Sequence, residues 1–92
     1  MRVKLSFLGI LSEYTGCRDT TIELRPAATV GELISGVGEA FGASFPTQVW
    51  DPAERRFTPL VGVFVNRQDA DDPSRPLAEG DEVIFLTMIS GG

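Results

Sequence analysis

One amphipathic segment of helical length, set between two pairs of strand-like segments, is the feature that most constrains how these 92 residues fold. Thr29 followed by Glu32 is typical of a capping box at a helix N-terminus. Gly36 and Gly38 would each weaken the helix by about 1 kcal/mol relative to alanine, so packing on a sheet has to hold it. We expect Gly42 to end it. The apolar residues of the segment share one helical face: Val30, Leu33, Ile34, Val37 and Phe41.

The segments on either side of the helix have the patterns of strands. Residues 2–7 alternate apolar and polar side chains and residues 20–25 do the same, with a turn between them, which predicts a hairpin. Residues 60–65 are a dense β-branched run, which predicts a central strand buried on both faces. Residues 82–88 are again β-branched and apolar, which predicts a last strand. Residues 43–59 contain three prolines and predict a short helical turn followed by a loop.

Two strands, a helix and two further strands in one domain make an α+β order. Because one helix connects the second strand to the third, the right-handed crossover rule favours placing the first and last strands side by side in the middle. This is the β-grasp (ubiquitin-like) layout, a mixed sheet with one packed main helix. We expect this domain to span residues 1–88, and residues 89–92 to form a flexible C-terminal di-glycine tail.

The composition excludes several classes of function. With no histidine and one cysteine, the chain lacks the side chains for His-based acid–base catalysis, for His/Cys zinc sites and for an internal disulfide. The 8 basic and 13 acidic residues give a net charge of −5, which disfavours nucleic acid and anionic membrane surfaces as partners. No apolar run reaches the 18 residues of a membrane span.

The first residues imitate a signal peptide without matching one. Two basic residues precede an apolar stretch, and Cys17 follows it as in a lipoprotein signal. Ser6 and Glu13 interrupt that pattern, whereas the two-residue period of residues 2–7 indicates a strand. We therefore expect a cytoplasmic protein.

The last two residues of the sequence, Gly91 and Gly92, form the second informative feature. At ordinary glycine usage, two glycines at two given positions would occur by chance in about 0.5% of chains. Glycine lacks a Cβ, so its backbone can enter a narrow channel, which favours a tail that threads into a partner. The alternative is a frayed terminus of small polar residues. The β-grasp pattern upstream favours the functional interpretation.

These features together resemble the ubiquitin-like sulfur carriers, which include the small subunit of molybdopterin synthase (MoaD) and the thiamine sulfur carrier (ThiS). Where MoaD proteins commonly carry Pro-Pro-Val before the final glycines, this chain has Thr87-Met88-Ile89. The resemblance covers nearly the whole chain and rests on these segments: Leu11-Ser12-Glu13-Tyr14-Thr15-Gly16, where MoaD has a short helical segment, Thr29-Val30-Gly31-Glu32-Leu33, Val63-Phe64-Val65-Asn66, Leu77, Gly80-Asp81-Glu82-Val83, Phe85-Leu86 and Ser90-Gly91-Gly92.

The resemblance implies that the chemistry takes place at the tail and that partners supply the catalytic groups. An adenylyltransferase of the ubiquitin-activating type would use ATP to adenylate the terminal carboxylate, and sulfur would then displace AMP to leave a thiocarboxylate. Gly92 would be the sulfur-bearing residue, and Gly91, Ser90 and Ile89 would lie in the partner's binding site. The resemblance implies no bound cofactor and no metal.

The resemblance also implies an apolar patch on the last strand that contacts the activating enzyme. Phe85 and Leu86 are the candidate residues for this patch, and strand alternation turns one of them inward and the other outward. The acceptor would be an enzyme such as the large subunit of molybdopterin synthase. We favour a MoaD-like role in molybdenum or tungsten cofactor synthesis over thiamine, cysteine or tRNA thiolation.

Two other interpretations of the tail remain open. One is a ubiquitin-like modifier that is joined through Gly92 to lysines of target proteins, and the other is a plain interaction domain that ends in glycines. Lys4 is the only lysine, so self-linked chains would have one side-chain acceptor. As a sulfur carrier, the chain would be a non-catalytic carrier or the small subunit of a sulfurtransferase complex.

Two further groups of residues have simple structural interpretations. Cys17 could relay sulfur, but no neighbouring base is evident in the sequence, so we assign it no role. Asp69, Asp71 and Asp72 lack the ligand spacing of a calcium loop and are typical of a solvated turn.

Overall fold

The computed structural model describes residues 1–70 and 72–88, so the predicted tail at residues 89–92 lies outside the described residues. Within the described ranges, no helix is both long enough and apolar enough to cross a membrane. The helices are α1 (Ile10–Thr15) and α2 (Val30–Phe41), and a 3₁₀ turn follows at Gly42–Ser44. The strands are β1 (Arg2–Phe7), β2 (Asp19–Glu23), β3 (Trp50–Asp51), β4 (Arg56–Phe57), β5 (Val61–Val65), β6 (Gln68–Asp69) and β7 (Glu82–Thr87).

The main sheet has the strand order β2-β1-β7-β5-β6, and its two central strands are the first and the last. β1 and β7 run parallel, in a register that pairs Lys4 with Glu82 and Phe7 with Phe85, while the other pairs of neighbouring strands are antiparallel. The predicted β-grasp layout is confirmed. The short helical segment expected between β1 and β2 is also present as α1, and it ends at Gly16, whose φ is +77°.

The core lies between α2 and one face of this sheet. Alternate residues of β1 and β7 point into it, as the two-residue period of a strand requires. No polar or charged side chain among the described residues is buried. The central members of the core are Val3, Leu5, Phe7, Val83 and Phe85 from the sheet and Val30, Leu33 and Val37 from α2.

The N-terminus of α2 has one of the two hydrogen bonds of the predicted capping box. Thr29 Oγ1 accepts a hydrogen bond from the Glu32 backbone N–H at 3.2 Å. The Glu32 carboxylate, however, pairs with the Arg25 guanidinium, whose Nε donates to Glu32 Oε2 at 2.8 Å. Gly42 follows the last helical residue but has helical dihedral angles, so the chain tightens into a 3₁₀ turn where a left-handed stop was expected.

Residues 43–59 contain a feature that the sequence did not indicate. After the 3₁₀ turn, β3 and β4 pair as a two-stranded hairpin, with Trp50 opposite Phe57. The ring centroids of Trp50 and Phe57 are 5.1 Å apart, and Phe57 lies 5.2 Å from Phe85 of the main sheet. These aromatic contacts fix the hairpin against the core, although its strands have only two residues each.

The prediction that β5 is a central strand buried on both faces is wrong. β5 is fourth of five in the sheet, next to the two-residue edge strand β6. Val61 and Val65 are buried, whereas Gly62 and Phe64 are only half-buried on the opposite face. Because α2 covers a single face of the sheet, the apolar residues on the other face stay partly exposed.

Leu33 of α2 provides a direct test of this core. Its side chain is fully buried, so Leu33→Ala removes burial and leaves a cavity, which should lower the free energy of unfolding by about 2–5 kcal/mol. Ile10 is 41% exposed, and Ile10→Ala should change it by less than about 0.5 kcal/mol. Urea unfolding measures both values, and equal losses would contradict the described core.

Gly38 of α2 packs directly against the ring of Trp50. A Cβ at this position would overlap the six-membered ring of Trp50. We predict that Gly38→Ala destabilises the protein, because displacing the ring costs about 1–3 kcal/mol and outweighs the gain in helix propensity of about 1 kcal/mol. Ser35→Ala on the same helix is the control and should be neutral or slightly stabilising. Unfolding followed by Trp50 fluorescence tests this, and a more stable Gly38→Ala variant would contradict it.

Candidate functional site

The described part of the candidate site is the strand that leads to the tail. β7 starts after a turn in which Gly80 has a φ of +82°. The Asp81 carboxylate anchors this turn, since Oδ1 accepts from Asn66 Nδ2 at 3.0 Å and Oδ2 accepts from the Ala78 N–H at 2.9 Å. At the other end, the Met88 N–H donates to the Leu60 carbonyl at 2.5 Å. The described end of β7 is therefore held by β5, while the pairing of β7 with β1 runs only from Glu82 to Phe85.

The two candidate patch residues of β7 lie on opposite faces of the sheet. Phe85 is 0% exposed, and its ring stacks on that of Phe7 at a centroid distance of 5.2 Å and an interplanar angle of 15°. The assignment of Phe85 to a contact patch therefore has to be corrected, because a fully buried side chain cannot contact a partner. Leu86 is only partly buried, so it is still a candidate for the contact patch.

The face of the sheet opposite α2 carries a contiguous group of apolar side chains, which we call the outer patch. Cross-strand pairing places Phe64 beside Ile84 and Gly62 beside Leu86. The hydrogen bond between Leu60 and Met88 extends the same pairing by one step. Leu60 and Met88 are 40% and 54% exposed, which is high for large apolar side chains. The outer patch consists of Leu60, Phe64, Ile84, Leu86 and Met88.

Polar side chains border the outer patch. Toward β1 and β2 the same face carries Lys4 opposite Glu82, and Arg2 Nε pairs with Glu23 Oε1 at 3.0 Å. Toward β6, Asp69 lies opposite Phe64. An apolar centre with a charged rim is the usual anatomy of a surface that binds another protein.

Metal-ligating side chains do not cluster among the described residues. Within the described ranges, no group of three or more His, Cys, Asp or Glu side chains is placed to hold a metal ion. Hydrogen bonds from the Ser74 side chain and backbone lower the pKa of Asp72, and this carboxyl is fully exposed. The half-buried Cys17 thiol has Thr15 Oγ1 at 3.8 Å as its hydrogen-bonding neighbour. The described part of the candidate site is therefore an apolar surface patch at the end of β7.

Of the site residues predicted from sequence, the structure therefore places only two. Leu86 lies in the outer patch and Phe85 lies in the core, while Ile89, Ser90, Gly91 and Gly92 lie outside the described residues. Sequence reasoning missed four members of the outer patch. The sequence did contain a signal for these four residues, because segments 60–65 and 82–88 are apolar at both odd and even positions. For residues 60–65 the same pattern also predicts a strand buried on both faces.

Comparison with known protein families gives one match to the chain. The model of the ThiS family matches residues 5–92. None of the curated proteins matches the sequence.

Comparison with solved structures gives matches over nearly the full length. SAMP1 from Haloferax volcanii is 22% identical, with a TM-score of 0.84 and 100% of each chain covered. A putative molybdopterin converting factor subunit 1 from Pyrococcus furiosus is 22% identical, with a TM-score of 0.75, covering 97% of this chain and 99% of that one. A chain in the complex of subunits 1 and 2 of the molybdopterin-converting factor from Helicobacter pylori is 21% identical, with a TM-score of 0.63 and 100% of each chain covered. At these identities the likeness establishes the fold.

Proposed function

This chain belongs to the ThiS family, and from that premise we propose that it is a sulfur carrier whose Gly92 is adenylated and converted to a thiocarboxylate. We assign it a MoaD-like role in the synthesis of molybdopterin, the organic part of the molybdenum and tungsten cofactors. The observation that carries the proposal is the outer patch of a β-grasp sheet lying directly before the sequence Ile89-Ser90-Gly91-Gly92.

The chemistry of the proposal requires only a carboxylate from this chain. A carboxylate oxygen of Gly92 attacks the α-phosphorus of ATP and pyrophosphate leaves, which gives an acyl adenylate. A sulfur nucleophile supplied by a partner then attacks the carbonyl carbon, and AMP leaves with the oxygen. Where the sulfur arrives as the persulfide of a protein cysteine, a second thiol attacks the donor's sulfur, and the S–S bond breaks to give the thiocarboxylate and a disulfide. The net result on the carrier is one oxygen replaced by sulfur. These steps require no side chain of the carrier.

The proposed partners would dock on the outer patch. An adenylyltransferase must hold the carrier so that the Gly92 carboxylate reaches its ATP, and the acceptor enzyme must later hold it so that the thiocarboxylate reaches its substrate. The molybdopterin-converting factor of Helicobacter pylori is a complex of two subunits, which supports a partner subunit for this chain. Both partners would use the same patch in turn, because the tail leaves the sheet at one place.

A substitution at Leu86 tests whether the outer patch is the docking surface. Replacing it by aspartate puts a charge at the centre of the interface, where truncations of central residues typically cost 2 kcal/mol or more, so the KM for the carrier should rise about tenfold or more in adenylyltransferase-catalysed AMP formation. Thr21→Asp adds the same charge on the same face but on β2, away from the patch, and should leave the KM within about twofold. If both variants raise the KM equally, net charge and not the patch controls docking.

A second test alters the tail and leaves the domain untouched. One alanine added after Gly92 moves the carboxylate and adds bulk to a site shaped for backbone, and deletion of Gly92 shortens the reach by about 3.5 Å. We predict that neither variant supports AMP formation by the cognate adenylyltransferase, while circular dichroism and the melting temperature stay native. Activation of the extended variant at the native rate would contradict the proposal.

The likeness to SAMP1 favours a second candidate function. A related structure is described as a small archaeal modifier protein, so conjugation through Gly92 to lysines of target proteins is the alternative for this chain. The same acyl adenylate would be attacked by a lysine amine in place of sulfur. Fragmentation of the products separates the two: a carrier yields a thiocarboxylate at Gly92, and a modifier yields an isopeptide bond between Gly92 and a lysine.

A further inference from the structure

A groove, which we call the helix groove, opens between α2 and β5 on the covered face of the sheet. Val61, Val63 and Val65 share that face by strand alternation, yet Val63 is only half-buried while the other two are buried. The helix therefore leaves part of β5 uncovered. The groove has a volume of about 450 Å³, a size typical of ligand pockets. Its apolar lining consists of Ile34, Phe57, Val61, Val63, Ala70 and Pro73.

Hydrogen bonds fix the segments that bound the helix groove. At the start of α2, the Gly31 N–H donates to the Pro73 carbonyl at 2.9 Å. Further along α2, the groove is bounded by the turn of the β3–β4 hairpin. The Asp51 carboxylate holds this turn, because its Oδ1 accepts from the N–H groups of Ala53 and Glu54 at 3.0 and 3.1 Å. The groove is therefore formed by anchored segments and is present without a ligand.

Two arginines give the hairpin end of the helix groove a positive charge. Arg55 and Arg56 both line it and are exposed. Of the two acidic lining residues, Glu54 is on the hairpin and Asp69 faces the rim of the outer patch on the opposite side of the sheet. Arg55 pairs with Glu39 of α2 at 3.5 Å, and an exposed pair of this kind contributes little, so a carboxylate of a ligand can replace it. The groove thus combines an apolar floor with a site for carboxylates.

Arg55 has a backbone conformation that favours glycine. Its φ is +56°, in the left-handed region where side chains other than those of glycine and asparagine are uncommon. The Arg55 N–H donates to the Asp51 carbonyl at 2.8 Å, so the turn imposes this conformation. Unfavourable backbone conformations concentrate at functional sites. Glycine would suit the turn at least as well, which points to a role for the guanidinium group outside the turn.

We propose that the helix groove binds an extended segment of a partner protein that carries alternate apolar side chains and, at one end, carboxylates. An extended segment fits because its side chains repeat every two residues, as Val61 and Val63 do on the floor of the groove. Pairing of the carboxylates with Arg55 and Arg56 would fix its direction. Because the outer patch lies on the other face of the sheet, both surfaces can be occupied at once. The inference goes beyond the proposed function and does not depend on the chemistry at Gly92.

Two hexapeptides test the helix groove: acetyl-Val-Ser-Val-Ser-Glu-Glu-amide and the same residues in reverse order. At least one should bind the full chain saturably, with a Kd below about 1 mM. The NMR methyl resonances of Ile34, Val61 and Val63 should shift, and those of Ile84 and Leu86 in the outer patch should not. Replacing both glutamates of the peptide by lysine should weaken binding about tenfold or more. Failure of both peptides to bind saturably, or shifts confined to the outer patch, would overturn the proposal.

Arg55→Gly and Arg67→Gly form a matched pair of variants. Arg67 also has a positive φ, +70°, but it lies in the turn between β5 and β6, outside the helix groove. Each substitution removes one positive charge and one unfavourable backbone conformation, so both melting temperatures should stay close to native. Arg55→Gly should raise the Kd of the peptide about fivefold or more, and Arg67→Gly should change it less than about twofold. Equal weakening would mean that net charge controls binding, which contradicts a site at the groove.

Two further variants separate the helix groove from the outer patch. Ser35 lines the groove from α2, so Ser35→Phe should fill it and abolish peptide binding while circular dichroism stays native. Leu86→Asp alters the opposite face and should leave the peptide affinity unchanged. Native affinity in Ser35→Phe, or lost affinity in Leu86→Asp, would refute the assignment. If the chain binds the peptide as expected but is never adenylated, the helix groove stands and the proposed function fails.

Discussion

The parallel pairing of β1 with β7 is the constraint on which the rest of the structure depends. It places the C-terminal strand between two neighbours, with Phe7 opposite Phe85 in the core. β7 pairs with β1 from Glu82 to Phe85 and with β5 from Val83 to Thr87, so its middle is held on both sides and its end is held by β5. This arrangement places Met88, the last residue that the structure describes, beside β5 at one end of the sheet.

The single main helix determines the second property of the fold. Because α2 covers one face of the sheet, the two faces of β7 have different surroundings. Phe85 packs in an aromatic cluster on the covered face, and Leu86 lies in the outer patch on the open face. The position of the helix thus separates residues that stabilise the domain from residues available to a partner. The sulfur chemistry we propose needs only the latter and the tail.

The sequence predicted those parts of the structure that depend on local signals. The cap at Thr29, the buried face of α2 and the alternation in β1 are local, and all are present. The β3–β4 hairpin escaped prediction because its two-residue strands are set by the contact between Trp50 and Phe57, which is tertiary. The outer patch escaped because the apolar residues of β5 fit two burial patterns, and only the position of α2 decides between them.

The most direct test of the central claim is the mass of the intact native protein after incubation with the cognate adenylyltransferase, ATP and a sulfur donor. Our account predicts a shift equal to one oxygen-to-sulfur exchange, localised by fragmentation to Gly92. A sulfur adduct at Cys17 without exchange at Gly92, or AMP formation without any exchange, would contradict it.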